Sequence, residues 1–266
     1  MIEFGNITAG QTLGGSIPFV ISLMDGIPDD SDLGLQVDFT DGAGRTILSK
    51  GDQGVHWAVA IGKGSFAGQG LGLNENHLAV SYVAINGTYS GGNNWDYLYF
   101  GPIVNNQWYD IAITRSNDEG NIKLFVDGVL IEEKNNSTPG TPVSNGDPLL
   151  IGSAPNGLGF IGNINDFKLW DKALSENEIN FYMSNPPTGS ETDLTGYWNF
   201  NEGSGTELID LTGNGNAGNI YGAVWSTDAP SFTQFAYNNI LDWTRNQTST
   251  SVTATGLNLT DGETYR

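Results

Sequence analysis

Oxygen-bearing side chains are concentrated in one short turn, where residues 210–216 read DLTGNGN. The glycines of this turn let backbone carbonyls converge beside the polar side chains. Carboxylate and amide oxygens are the ligands that Ca²⁺ prefers. Asp210 and Asn216 are therefore predicted to bind a calcium ion. The alternative is that Asp210 and the asparagines only form Asx-turns.

Aromatic side chains are concentrated in a second stretch, where the polar loop NGTYSGGNN leads into the strand-like run WDYLYF. Alternation along a strand puts the aromatic residues at 95, 97 and 99 on one face. Aromatic rings stack on the apolar faces of sugars, while amides and carboxylates bind hydroxyl groups. The predicted carbohydrate-binding residues are Trp95, Tyr89, Tyr97, Tyr99, Asn94 and Asp52. The alternative is that this aromatic face belongs to the hydrophobic core.

Residues arranged for catalysis are sparse. Glu132 and Glu133 are adjacent, so on a strand their carboxylates point to opposite faces and do not flank one glycosidic bond. The two histidines, His56 and His77, have no metal-ligand spacing. The sequence contains no G-x-S-x-G nucleophile elbow. The chain is therefore predicted not to be an enzyme, and a polysaccharide-active enzyme with an unfamiliar site is kept as an alternative.

The charge balance restricts the partners. The 266-residue chain has 10 basic and 30 acidic side chains, which give a net charge of −20. It therefore lacks the basic surface that nucleic acids require. It favours cations, among which Ca²⁺ suits the available oxygen ligands. Cysteine is absent, which excludes disulfides and thiol catalysis. No apolar run approaches the length of a membrane span, so membrane insertion is not expected.

Short strands joined by turns are the predicted elements, because 37 glycines separate short apolar runs and only 15% of the residues are charged. One helix is predicted after the strand-like run at 162–170. Ser175 and Glu178 have the spacing of a capping box, and Pro186-Pro187 prevents the helix from continuing. Asp127-Gly128 predicts a tight type I′ hairpin turn.

Three segments carry a family resemblance: DKALSENEI at 171–179, LFVDGVL at 124–130 and GYWNFNEGSG at 196–205. They resemble laminin G-like and pentraxin-like domains, which are concanavalin A-like jelly rolls. The resemblance implies an all-β fold, a two-sheet antiparallel jelly-roll sandwich with one short helix. The 210–216 turn is also similar to a turn of that family. Asn165-Asp166 match an acidic pair of that family. If the fold brings this pair close to the turn, the resemblance implies that Asp210, Asn216, Asp166 and Asn165 share one calcium ion. Asn165 departs from the family pattern, and this departure removes one charge from the predicted calcium site.

Four tryptophans lie where the family pattern also has an aromatic residue, and they are predicted to be core: Trp108, Trp170, Trp198 and Trp225. Residues 1–228 are predicted to form the laminin G-like domain. Residues 229–266 resemble the first strands of a fibronectin type III-like module and are predicted to be only part of one. The chain is expected to belong to a larger secreted or cell-surface bacterial protein, covalently linked to further domains.

The resemblance implies binding rather than a reaction. The predicted function is a non-catalytic module that binds a polysaccharide or glycoconjugate, with calcium as a possible structural cofactor. The rival prediction is a structural or protein-adhesion domain that binds no sugar.

Overall fold

The computed structural model describes residues 2–4, 19–21, 31–39, 45–50, 58–61, 65–66, 69–70, 77–83, 95–116, 118–135, 148–152 and 160–227. Strands predominate among them. In chain order the elements are β1 Ile2–Phe4, β2 Phe19–Ile21, β3 Ser31–Phe39, β4 Arg45–Lys50, β5 Ala58–Ile61, β6 Ser65–Phe66, β7 Gln69–Gly70, β8 Leu78–Val83, β9 Trp95–Phe100, β10 Trp108–Ser116, β11 Asn121–Val126, β12 Val129–Asn135, β13 Leu149–Ile151, β14 Gly162–Trp170, α1 Glu176–Ser184, β15 Leu194–Trp198, β16 Glu207–Leu208, β17 Gly218–Ile220 and β18 Val224–Trp225.

Two antiparallel eight-stranded sheets contain most of these strands. The helix-side sheet has the order β12-β11-β10-β3-β14-β1-β18, with β15 also paired to β14. The opposite sheet has the order β16-β17-β2-β13-β4-β5-β8-β9. Strands β6 and β7 form a separate two-stranded ribbon. The prediction of an all-β jelly-roll sandwich with a short helix is confirmed.

The main core lies between the two sheets and follows from alternation along the strands. In β10, Tyr109, Ile111 and Ile113 face this core. Trp108 and Asp110, which alternate with these residues along the strand, lie on the outer face of the helix-side sheet. Trp108 is only partly buried and is not part of the core, so the core prediction is wrong for this tryptophan.

Two other predicted core tryptophans are buried. Trp198 is fully buried and stacks on Phe167, with ring centroids 5.3 Å apart. Trp170 belongs to a smaller apolar cluster beneath helix α1. Trp225 is partly buried and packs against the main core. Three of the four tryptophans that the family pattern predicts to be core therefore lie in or against an apolar cluster.

Helix α1 begins with the predicted capping box. The Ser175 hydroxyl accepts a hydrogen bond from the Glu178 N–H (3.3 Å), and the Glu178 carboxylate accepts one from the Ser175 N–H (2.8 Å). Ile179 is buried against the outer face of the helix-side sheet, in the cluster that includes Trp170. Phe181, two residues further along the helix, is 56% exposed.

The hairpin turn between β11 and β12 meets this helix. Asp127 and Gly128 have φ values of 50° and 75°, which fit the predicted type I′ turn. Asn180 of the helix donates a hydrogen bond to the Gly128 carbonyl (3.1 Å). A β-carbon on Gly128 would lie 2.1 Å from the Asn180 Oδ1. The glycine is therefore needed both for its backbone conformation and for this close approach.

The segment after the helix completes both sheets. Strand β15 pairs with β14, β17 pairs with β2, and β18 pairs with β1. These strands all belong to one compact unit, Met1–Pro230. The predicted fibronectin type III-like segment lies outside the described residues and stays a prediction.

Candidate functional site

Strand β9, at one end of the opposite sheet, carries three of the predicted ligand-binding residues. Leu98 is buried in the core, so alternation puts the next residue, Tyr99, on the outer face of the sheet. Tyr99 is partly exposed, and the antiparallel register sets it opposite Ala79 of β8. The backbones of Trp95 and Tyr97 lie in the same strand, while their side chains lie outside the described part of the structure.

The edge strand β9 of the opposite sheet contacts the edge strand β12 of the helix-side sheet at Tyr99. The Tyr99 N–H donates a 2.7 Å hydrogen bond to the carboxylate of Glu132 in β12. The Lys134 ammonium lies 5.4 Å from the centroid of the Tyr99 ring, a cation–π geometry. The same ammonium lies 3.5 Å from the Glu132 carboxylate. Partial burial, and to a lesser degree the nearby Glu132 charge, raise the pKa of the Tyr99 hydroxyl. These three residues form what we call the β9–β12 edge.

On this outer face, side chains of the central strands are less exposed than Tyr99 on the edge strand. Ala79, Ser49 and Leu150 alternate with core residues along β8, β4 and β13, and their exposed fractions are 1%, 3% and 2%. These three side chains are therefore not accessible to a ligand. Tyr99 is partly exposed, so the β9–β12 edge is the better candidate for a binding surface.

The remaining predicted ligand-binding residues, Tyr89, Asn94 and Asp52, lie outside the described residues. Their part in a binding site stays a prediction. Sequence reasoning missed Glu132 and Lys134 as neighbours of Tyr99. They are distant in sequence and belong to the other sheet, and no local pattern indicates that the ends of the two sheets meet.

The turn at 210–216 is organised around the Asp210 carboxylate. Its Oδ1 accepts hydrogen bonds from the Tyr197 N–H (3.3 Å), the Thr212 N–H (3.0 Å) and the Thr212 hydroxyl (2.7 Å). Its Oδ2 accepts hydrogen bonds from the backbone and side-chain nitrogens of Asn216, each at 3.1 Å. The structure therefore brings Asp210 and Asn216 into direct contact.

Asp166 and Asn165 have different partners. Asp166 has a φ of 58° at an irregularity in the pairing of β14 with β3. Its carboxylate forms a buried ion pair with Lys168 and a hydrogen bond with the Tyr197 hydroxyl. The Asn165 side-chain amide donates a hydrogen bond to the Gln36 side-chain Oε1 (3.0 Å). Tyr197 thus connects the two segments, with its backbone on Asp210 and its hydroxyl on Asp166.

These four residues do not fit a calcium ion as they are arranged. The Asp210 oxygens already accept five hydrogen bonds, and the Lys168 ammonium supplies the positive charge next to Asp166. Among the described residues, no group of three or more acidic or histidine side chains is arranged to hold a metal. Calcium binding stays a prediction, and the hydrogen bonds favour the alternative in which Asp210 organises a turn.

A second polar network on the outer face of the helix-side sheet was not predicted. Gln36, which is buried, connects Asn165 to the Asp110 carboxylate through hydrogen bonds of 3.0 and 3.5 Å. Burial raises the pKa of Asp110 to about 6. The Lys168 charge and the Gln36 hydrogen bond lower this pKa, while Asp166 and Asp127 raise it. The signal in the sequence was the aspartate within the apolar alternation of β10.

The Asp110→Asn substitution is expected to stabilise the protein at neutral pH. The folded-state pKa lies above the ordinary value of 3.8, so the wild-type protein loses stability as the pH rises through about 6. The amide removes this loss, because it carries no charge at any of these pH values. The advantage should be absent near pH 4 and reach about 1–3 kcal/mol above pH 7. Urea unfolding of both proteins from pH 4 to 8 measures it.

Asp118→Asn is the matched control, because Asp118 is exposed, and it should give no pH-dependent advantage. A constant difference between the Asp110 variant and the wild type at every pH would contradict a raised pKa of Asp110.

The comparisons with known proteins identify the family. Residues 35–180 match the model Laminin_G_3 of the concanavalin A-like lectin/glucanase superfamily, and the chain belongs to this family. Neuronal pentraxin-2 of Cavia porcellus is 27% identical over 85 residues, which is 29% of this chain and 20% of the pentraxin. The human protein of the same name is 26% identical over the same length. The chain thus matches only a fifth of these relatives.

A solved structure from Bacteroides ovatus ATCC 8483, described as a candidate carbohydrate-binding protein, has a similar fold. The TM-score is 0.60 at 18% sequence identity, and the likeness covers 80% of this chain and 61% of that one. At this identity the likeness shows the fold alone. The superfamily name includes lectins and glucanases, so membership alone does not separate binding from hydrolysis. No helix in the described part of this chain is long and apolar enough to span a membrane.

Proposed function

We propose that this domain is a non-catalytic carbohydrate-binding module and that its glycan lies at the β9–β12 edge. The observation that carries the proposal is the partly exposed Tyr99 ring, with the Glu132 carboxylate and the Lys134 ammonium beside it. The ring offers an apolar face to a pyranose, and the two charged groups offer hydrogen bonds to its hydroxyls. Membership of a lectin-containing superfamily supports the proposal.

The proposed site extends along strand β9. Trp95 and Tyr97 belong to the same strand as Tyr99, and the proposal includes them as further stacking residues. Tyr89 and Asn94, in the preceding segment, and Asp52, near the end of β4, would contribute further contacts. The partner is a polysaccharide or glycoconjugate, and the proposed setting is extracellular, as part of a larger secreted or cell-surface protein.

The arrangement of Glu132 and Glu133 supports binding without hydrolysis. Glu132 faces Tyr99, whereas Glu133 accepts a hydrogen bond from Asn121 (2.7 Å) and lies 4.0 Å from the Lys123 ammonium. Glycoside hydrolysis generally requires two carboxyl groups on opposite sides of one glycosidic bond. These two carboxylates have different neighbours and do not converge in that way.

The Tyr99→Ala substitution is expected to weaken glycan binding by roughly 5- to 30-fold, because an aromatic contact contributes about 1–2 kcal/mol. The unfolding free energy should change little, since Tyr99 is partly exposed at the end of a sheet. A glycan array, run with Ca²⁺ and with EDTA, identifies the ligand. Titration calorimetry with that ligand then measures the loss.

Tyr221→Ala is the matched control. Tyr221 is 49% exposed and lies in the turn between β17 and β18, so its loss should leave binding unchanged. If the wild-type chain binds no glycan in either condition, the proposal is wrong and the structural or adhesion function replaces it. If both tyrosine variants bind normally, the site lies elsewhere.

A further inference from the structure

Glu132 and Lys134 form a matched pair of charges within the proposed site. Their side chains lie on the same side of β12, because they are two residues apart in a strand. Both are partly exposed, at 31% for Glu132 and 34% for Lys134, and their charged atoms are 3.5 Å apart. A ligand at Tyr99 therefore meets both charges and not the lysine alone.

This pairing decides how the site treats a charged ligand. A lone ammonium beside an aromatic ring attracts a carboxylate or sulfate group on a sugar. With Glu132 in place, the positive charge is balanced and an acidic group must approach a carboxylate. The net charge of −20 adds a repulsive background field. Hydroxyl groups, in contrast, can bind both the carboxylate and the ammonium without an electrostatic penalty.

We infer that Glu132 determines the ligand class of this site, which accepts uncharged glycans and rejects glycans that carry carboxylate or sulfate groups. The inference rests on the proposed carbohydrate-binding function and narrows it. It assigns ligand specificity to Glu132 of β12, whereas Tyr99 of β9 provides the ring on which a sugar stacks.

The test uses the full chain and pairs of glycans that differ only in charge. Each pair consists of a uronic acid-containing polysaccharide and its carboxyl-reduced, uncharged counterpart. The wild-type protein should bind the reduced member about tenfold more tightly at low salt. Glu132→Gln should raise the affinity for the acidic member about tenfold and largely abolish the preference. The gain should shrink in 1 M NaCl, because salt screens charges at a protein surface.

Two further variants make the result specific. Glu133→Gln removes the same charge from the neighbouring residue, which faces Asn121 and Lys123 instead of Tyr99, and should leave the preference intact. The double change Glu132→Gln with Lys134→Gln should remove the gain in affinity, because this variant no longer has the Lys134 ammonium to attract the acidic group. The glutamine in place of Glu132 retains a carbonyl oxygen for the Tyr99 N–H, so circular dichroism should show an unchanged fold.

The outcomes distinguish a failure of the charge-selectivity inference from a failure of the proposed carbohydrate-binding function. Binding to uncharged glycans, with the gain confined to Glu132→Gln, supports the inference. A wild-type preference for the acidic members, or an unchanged preference in Glu132→Gln, overturns it while the carbohydrate-binding function stands. If the wild-type chain binds no member of any pair and no glycan on a broader array, the proposed function itself fails.

Discussion

The Trp198→Ala substitution is expected to lower the free energy of unfolding by about 3–5 kcal/mol. Trp198 is fully buried, stacks on Phe167, and donates its indole N–H to the Asn216 carbonyl (3.0 Å). Alanine leaves a large cavity and an unsatisfied carbonyl in the interior. The cavity also lies beside Gly196, where a β-carbon would be 2.2 Å from the indole ring. Guanidinium unfolding at pH 7 measures the loss.

Trp225→Ala is the control for this prediction. The Trp225 indole also donates a 3.0 Å hydrogen bond to a backbone carbonyl, that of Gly205, but Trp225 is only partly buried. Its replacement should cost clearly less than that of Trp198. Equal losses would show that Trp198 does not hold the two sheets together as its burial indicates.

The Asp210→Ala substitution should destabilise the protein by about 3 kcal/mol. The Asp210 carboxylate accepts hydrogen bonds from Tyr197, Thr212 and Asn216. Alanine leaves these donors without their acceptor at a buried position of the turn. Asn214→Ala is the control in the same turn, because Asn214 is exposed and donates chiefly to the Thr195 carbonyl (3.0 Å). Its loss should be below about 1 kcal/mol.

The wild-type protein and the Asp210→Ala variant also test the calcium prediction. An ion that binds only the folded state raises its melting temperature by mass action. If Asp210 only organises the turn, EDTA should leave the melting temperature of the wild-type protein unchanged. If EDTA lowers it, and the Asp210 variant no longer responds to EDTA, then Asp210 is a calcium ligand and our interpretation of its hydrogen bonds is wrong.

Local signals in the sequence predicted the elements well. The Ser175–Glu178 capping box and Pro186-Pro187 defined helix α1 to within a few residues of Glu176–Ser184. Asp127-Gly128 defined the tight hairpin, since few dipeptides adopt two consecutive positive φ values. These features depend on neighbours within four positions, so a single sequence is enough to recognise them.

The polar surroundings of the candidate sites were harder to predict, because they depend on contacts between distant segments. The Glu132 contact with Tyr99 joins two different sheets. The network of Asp110, Gln36 and Asn165 crosses three strands of one sheet. Asp166 leaves regular alternation through its positive φ, which shifts every later residue of β14 relative to a simple period of two. No spacing rule in the sequence contains this information.

The pairing of early and late strands has a consequence for protein synthesis. Strand β1 lies between β14 and β18, and β2 lies between β13 and β17. A ribosome that adds roughly 5–20 residues per second takes on the order of ten to forty-five seconds to reach β18 after β1 has been made. Throughout that interval both sheets are incomplete and expose strand edges that can pair with other chains. A fragment limited to the family match, residues 35–180, would keep those edges open permanently, and we expect it to aggregate when produced alone.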